Sequence, residues 1–215
     1  VFFSFIKSRG LSRNRNNALS LARAEYALIA DDDLLYTAPQ LGAVIDTMDA
    51  HPDTDVATFR YTGNDGNFAK VYPTGEHDLS RDFPYYYITS FEIALRTDAI
   101  RHKGLMFSEL AGLGAPYLSA GEEALFVRRC ILAGLHCRFY PITIVTHPGP
   151  TTATSRATMP GVIRSKGATM RLLRGNLTAL TRLPVEAWRA KGSKLKALVY
   201  LIEGYIYSIT HSNRL

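Results

Sequence analysis

Three consecutive carboxylates, Asp31, Asp32 and Asp33, follow the apolar run Ala27-Leu28-Ile29-Ala30. No core holds three uncompensated acids, so they belong at a strand end. Like charges this close raise the local free energy unless a cation is shared among them, and side chains at i and i+2 of a turning strand end can converge on one ion. A divalent cation between Asp31 and Asp33 is the chemistry this allows. The plainer alternative is a solvated acidic turn that caps the helix starting near Pro39. A second group is basic. Arg13 and Arg15, with Asn14, Asn16 and Asn17, crowd the first turn of a helix that Ser12 can cap. The macrodipole disfavours cations there unless an anion is bound, and a phosphate would resolve that conflict; a solvated basic turn is the alternative. The third group is Glu122-Glu123, at the start of a helix that the capping box Ser119-Ala120-Gly121-Glu122 opens. Glu122, at the third helical position of the box, is expected to reach back to the Ser119 backbone. Glu123 has Phe126, Val127 and Cys130 at i+3, i+4 and i+7 and so faces the interior, where burial raises a carboxyl toward a base's useful range. A structural ion pair is the competing role.

The elements that must position these groups alternate in type. Val1 to Ile6 reads as a strand and Ser12 to about Arg23 as a helix whose apolar stripe is Leu11, Ala18, Leu19, Leu21 and Ala22. Ala27 to Ala30 reads as a strand buried on both faces. Pro39 to Ala50 reads as a helix with Leu41, Val44, Ile45 and Met48 on one side, and Thr54 to Phe59 as a strand. From Tyr61 to Pro84 the pattern breaks into a long surface excursion with a short hairpin at most. Ile88 to Arg96 alternates as a strand with Glu92 on its wetter side. Phe107 to Ser119 reads as a loop, the helix after it runs to about Ala133, and Cys137–Tyr140 and Ile142–Thr146 read as two short strands before His147. The remainder is helical with breaks at Gly175, Pro184 and Gly192. Such alternation predicts an α/β fold with a mixed sheet.

With 47% apolar and 20% charged residues, the 215-residue chain has the composition of an ordinary globular domain with one substantial core, which argues against a disordered or fibrous protein. No apolar run reaches membrane-spanning length, and the first residues lack the basic start and cleavage site of a signal peptide. The chain begins on strand-like sequence without Met, which suggests a piece of a longer protein. Cys130 and Cys137 fit no metal or disulfide spacing and read as reduced core residues, so a cytoplasmic setting is expected. The net charge of +6 is uneven: residues 156–215 carry eleven Lys and Arg against two Glu, a balance of +9. A segment this basic belongs near something anionic, with lipid headgroups and nucleic acid as generic candidates, or forms a solvated helical surface. Beyond Lys194, residues Leu195, Leu198, Val199, Ile202, Tyr205, Ile206 and Ile209 form a helical stripe with Lys191, Lys194 and Lys196 at its start. It reads either as an amphipathic helix on an anionic membrane or as packing against the catalytic domain or a second subunit.

The stretch Gly10-Leu11-Ser12-Arg13-Asn14-Arg15-Asn16-Asn17-Ala18-Leu19, then eleven residues to Asp31-Asp32-Asp33, then Gly121-Glu122-Glu123 about ninety residues on, resembles the family 2 nucleotide-sugar glycosyltransferases with a GT-A fold. The resemblance covers about residues 7 to 170. It implies a GT-A-like, mixed and mostly parallel sheet flanked by helices over residues 1–155, N-terminally truncated, with a basic helical extension over 156–215. It implies Mn²⁺ or Mg²⁺ held by Asp33 and Asp31 with His147 as a further ligand, although a lone His is more often a surface or core residue. It also places Asp31 or Asp32 at the donor ribose and Arg13 or Arg15, with Asn16 beside them, at the diphosphate. Glu123, or Glu122, would be the base, and Gly112 and Gly114 would shape the acceptor loop. The implied reaction is an inverting sugar transfer from a nucleotide-sugar donor to a carbohydrate or lipid-linked hydroxyl, in polysaccharide or glycolipid synthesis. With the basic C-terminal helix, the expected setting is the cytoplasm or the inner face of the cell membrane, without nucleic acid, and a homodimer is allowed. Two departures stand out: the family's usual Glu-Asp is Glu122-Glu123 here, and the first strands, which hold the nucleobase, are missing. One rival is a haloacid-dehalogenase-type phosphatase, which also places Asp-x-Asp at a strand end. That family wants Thr or Val soon after the second Asp, where this chain has Leu34-Leu35-Tyr36. The other is a non-enzymatic basic module binding membrane or nucleic acid through residues 156–196.

Overall fold

A computed structural model describes residues 4–81, 87–149 and 156–215. In chain order the elements are α1 (Leu11–Leu21), β1 (Tyr26–Leu28), α2 (Ala38–Ala50), β2 (Val56–Thr62), β3 (His77–Asp78), β4 (Ile93–Arg96), α3 (Thr97–His102), α4 (Glu122–Leu132), β5 (Cys137–Thr146), α5 (Pro160–Arg174), α6 (Asn176–Arg189) and α7 (Lys194–Thr210). They belong to two compact units. A sheet unit comprises Ala18–Met106 and Phe126–Pro150, and a helical unit comprises Val1–Asn17, Phe107–Leu125 and Thr151–Leu215. The expected first strand falls partly on residues 1–3, the end of the expected excursion on residues 82–84, and the expected boundary at residue 155; all three lie outside the described residues. Ser4 to Ile6 join no strand.

The sheet is mixed, with strand order β1-β4-β2-β5-β3. It is not mostly parallel as expected. Only β2 and β5 pair parallel among the described strands, while β1–β4, β2–β4 and β3–β5 are antiparallel. The helices between β2 and β5 in sequence give the long connection that parallel pairing needs, whereas β3 and β4 arrive from loops. β1 is an edge strand and is therefore half-buried, not covered on both faces. β5 runs unbroken through Pro141, correcting the expectation of two strands. Its pairing with β2 shifts register between Phe139 and Thr143, and its pairing with β3 ends at Phe139, so the missing Pro141 N–H falls where the ladder is already irregular.

The segment 88–96 is likewise a strand only in its second half. Thr89 caps a short 3₁₀ turn, Ser90–Glu92, by donating its N–H (2.9 Å) and hydroxyl (2.5 Å) to Glu92 Oε2. Glu92 is fully buried instead of wet, because Lys70 and Tyr72 from the 63–76 excursion reach over to supply a cation and a hydroxyl. Around β2 the core gathers Val44 and Met48 of α2 with Phe59, Tyr61, Phe91, Tyr140 and Ile144. Leu41 and Ile45, expected inward, are exposed.

In the helical unit, α5 and α7 cross at glycines. A Cβ on Gly167 would lie 2.0 Å from the Leu201 carbonyl oxygen, and one on Gly204 only 1.8 Å from that of Arg164. The two backbones touch, so any side chain at either site forces the helices apart. Ala179, Leu183 and Ala187 of α6 pack with Ala197 and Leu201 of α7. Pro184 sits within α6 and does not break it. Among the described residues no helix is long and apolar enough to cross a membrane.

Candidate active site

In the helical unit the first turns of α1 hold the loop after residue 106. Ser12 Oγ donates to the Ala111 carbonyl (2.7 Å), and the Asn16 amide exchanges two hydrogen bonds with the Phe107 backbone (3.0 and 2.8 Å). The face that α1 buries is thus polar, Ser12, Arg15 and Asn16, rather than the expected apolar stripe. These bonds bring Gly112 against α4. Its φ of +102° and a Cβ position 2.9 Å from both Glu122 Cδ and Ser12 Oγ admit only glycine.

Beneath Gly112 lies a buried charge cluster. Arg15 Nη1 donates to Glu122 Oε1 at 3.0 Å and to Glu123 Oε1 at 3.2 Å, with all three residues under 10% exposed and the guanidinium 5.6 Å from the Phe107 ring centre. Glu123 Oε2 is buried with no hydrogen-bond partner among the described residues. Burial pushes the Glu122 carboxyl well above the usual range, the neighbouring Glu123 charge pushes the same way, and Arg15 opposes both. Glu122 therefore keeps its proton toward neutral pH. Because its folded pKa exceeds its unfolded one, its contribution to stability is complete below about pH 4.3 and is lost as pH rises through the folded value. Glu122→Gln is accordingly expected to leave the melting temperature unchanged at pH 4 and raise it at pH 8, by about 2–4 °C for each kcal/mol relieved in a chain of this size. Thermal melts at the two pH values check it.

Several sequence expectations change here. Glu122 does not reach back to Ser119, because α5 takes those backbone donors: Ser119 N–H goes to the Gly161 carbonyl (3.2 Å) and Ala120 N–H to Ser165 Oγ (3.0 Å). α4 instead starts at Glu122, after Gly121. The anions that answer the basic first turn of α1 are carboxylates: Glu109 meets the half-exposed Arg13 at 2.7 Å, and the Glu122–Glu123 pair meets Arg15. Ser12, expected to cap α1, lies inside it and bonds to Ala111 instead, while Phe107 and Glu109 have no role that the sequence alone suggests. Only the topology that returns 107–113 onto α1 gives them one.

In the sheet unit the acidic turn follows β1. Leu35 and Thr146 exchange backbone hydrogen bonds, 3.0 Å each, and this bridge sets Asp33 beside His147 with Oδ2 to Nε2 at 3.8 Å. The His147 ring is buried, 5.3 Å from Phe91 and 6.3 Å from Tyr61 between centroids. Asp31 accepts from Ser90 Oγ at 3.2 Å, while Asp32 is exposed. The acids do not cap α2. Thr37 does, in a capping box with Gln40. Nothing in the sequence singles out Ser90 or Tyr36 for the site: Tyr36 Oη is buried without a partner among the described residues, and desolvation together with the Asp31 charge raises its pKa.

Among the described residues no group of three or more His, Cys, Asp or Glu converges as a metal site. Asp33 and His147 are close enough to share one ion, which would need water or another oxygen ligand in its other positions, the way Mg²⁺ is commonly held. His147 Nδ1 accepts the Gly149 N–H at 3.2 Å, which puts the proton of a neutral ring on Nε2, facing Asp33. Ligation through Nε2 requires that proton to leave. Of the two, the Asp33 carboxylate could take a cation as it stands, and His147 only once that proton has moved.

A mixed α/β sheet with an acidic turn at one strand end, flanked by helices, defines a GT-A-like fold. Residues 2–108 match the model of glycosyl transferase family 2, and the chain belongs to that family. Solved structures agree on the fold. S. aureus TarS 1-349 in complex with UDP-GlcNAc is 18% identical, with a TM-score of 0.56 over 95% of this chain and 55% of that one. The complex of TarS 1-349 with UDP gives 0.53 at 18% identity over 95% and 53%, and S. aureus TarS gives 0.52 at 19% over 94% and 32%. The chain spans about half the length of TarS 1-349. No curated protein matches it in sequence.

Proposed function

We propose that the chain carries the catalytic residues of a glycosyltransferase that moves a sugar from a nucleotide-diphosphate donor to a hydroxyl acceptor with inversion. The observation that carries this reading is the Arg15-held carboxyl pair, whose Glu123 Oε2 lies buried without a partner in a family 2 chain. A buried acceptor atom left unmet needs an explanation, and a base awaiting its substrate supplies one. In this reading Glu123 Oε2 takes the proton of the acceptor hydroxyl from about 2.6–3.2 Å as that oxygen attacks the anomeric carbon. The leaving diphosphate departs from the opposite side, so a single displacement inverts that centre. Arg15 fixes both carboxyls, and Glu122, kept protonated, adds no second charge beside the base. Arg13 is bound to Glu109 only at a half-exposed pair, which is weak enough to exchange for a phosphate oxygen. Asp31 or Asp32 would serve the donor ribose. Asp33, with His147 near it and Asp31 in the same turn, would hold Mn²⁺ or Mg²⁺, and that ion would offset the charge that develops on the diphosphate.

The acceptor class in this reading is a carbohydrate or lipid-linked hydroxyl on the way to a surface polysaccharide or glycolipid. UDP-GlcNAc is the first donor to try, because a protein of similar fold was crystallised with it. The test is incubation with a panel of nucleotide sugars and Mn²⁺ or Mg²⁺, scored for free nucleotide. Release from one donor that grows with added acceptor is the expected result. Silence across the panel with either metal ends the proposal.

A further inference from the structure

The last helix is packed the reverse of what its hydropathy calls for. α7 buries Ala197, Leu201, Gly204 and Ser208 and leaves Leu195, Val199, Ile202, Ile206 and Ile209 exposed. The five exposed residues recur at intervals of three and four, so they form one outward stripe about 21 Å long with no charge in it. The neighbouring α6 also leaves Leu177, Leu180 and Trp188 in solvent, with Trp188 76% exposed. Exposed apolar surface this continuous marks an interaction site. The packing of α7 onto the protein is already accounted for by its other face, through the glycine crossing with α5.

Charge decides what covers it. Residues 156–215 hold eleven Lys and Arg against Glu186 and Glu203. Both acids are engaged internally, Glu186 with Lys166 and Arg189, and Glu203 with Arg164. Lys191, Lys194 and Lys196 stand exposed at the start of α7. A second copy docked here would bring two strongly positive surfaces together, at an electrostatic cost. An anionic bilayer suits both features, taking the stripe among its acyl chains and the lysines at its headgroups. We infer that α7 is a docking helix for an anionic lipid surface, lying in the plane of the interface.

Co-sedimentation with vesicles tests this, using about 30% phosphatidylglycerol in phosphatidylcholine against phosphatidylcholine alone. Native protein is expected to pellet with the anionic vesicles, and to do so less as salt rises. Binding should fall at least about tenfold on the neutral vesicles and in the double variant Ile202→Glu, Ile206→Glu. Both positions are exposed, so the variant should keep the native melting temperature, which checks its fold. Equal binding by native and variant protein, or equal binding to both vesicle types, overturns the inference. So does a concentration-dependent dimer in sedimentation velocity that the same variant abolishes, which would assign the face to a second copy. Neither readout depends on whether a sugar donor is turned over.

Discussion

Glu123→Gln is expected to lower kcat for sugar transfer by about 10²–10⁴-fold, the usual worth of a positioned general base, with the donor KM little changed. The substitution keeps the shape of the side chain and leaves Glu122 on Arg15, so the fold should survive. It removes the carboxyl whose Oε2 is buried without a hydrogen-bond partner among the described residues. If Glu123 were only half of a structural ion pair, the variant would lose stability and keep its rate. Steady-state nucleotide release, read beside a thermal melt, separates the two roles, and a kcat within threefold of native would remove Glu123 from the mechanism.

Arg15→Met should have the largest effect on stability. One guanidinium nitrogen serves both buried carboxyls, and stripping the cation from a buried pair costs about 3–5 kcal/mol. The pH dependence identifies the cause. Without Arg15 the Glu122 carboxyl is pushed still higher, so the variant should be weakest at pH 8 and recover part of its melting temperature near pH 5, where carboxyls take up protons. Arg15→Lys should rescue only in part, since an ammonium is a point charge without the planar fork. An arginine whose task was to grip donor phosphate would behave differently, raising the donor KM while the melt stayed native.

What the sequence made legible was order and chemistry, while pairing escaped it. The sequence of basic helix, acidic turn and Glu-Glu helix could be read because each is a local string with its own charge logic. The partners could not, because Arg15 finds Glu122 and Glu123 more than a hundred positions away through a loop with no periodic signal. The capping box failed for the same reason: α5, distant in sequence, offered Ser119 and Ala120 better acceptors than Glu122 could. Alternation misled over 88–96, where a local turn and a remote lysine made Glu92 a buried acid. Parallel pairing was overestimated because the loops that bring in β3 and β4 hold little hydropathy pattern.

The crossing of Gly167 and Gly204 has one more consequence. Backbone contact, not oiliness, chooses which way the final helix is turned, so its inner and outer positions answer to different selections. Randomising the helix would therefore yield two populations of sites: positions 197, 204 and 208 restricted to small residues whatever the environment, and positions 195, 199, 202, 206 and 209 open to any good helix former wherever folding alone is scored. The apolar character of the outer set would then be visible only to a screen that asks where in the cell the protein resides.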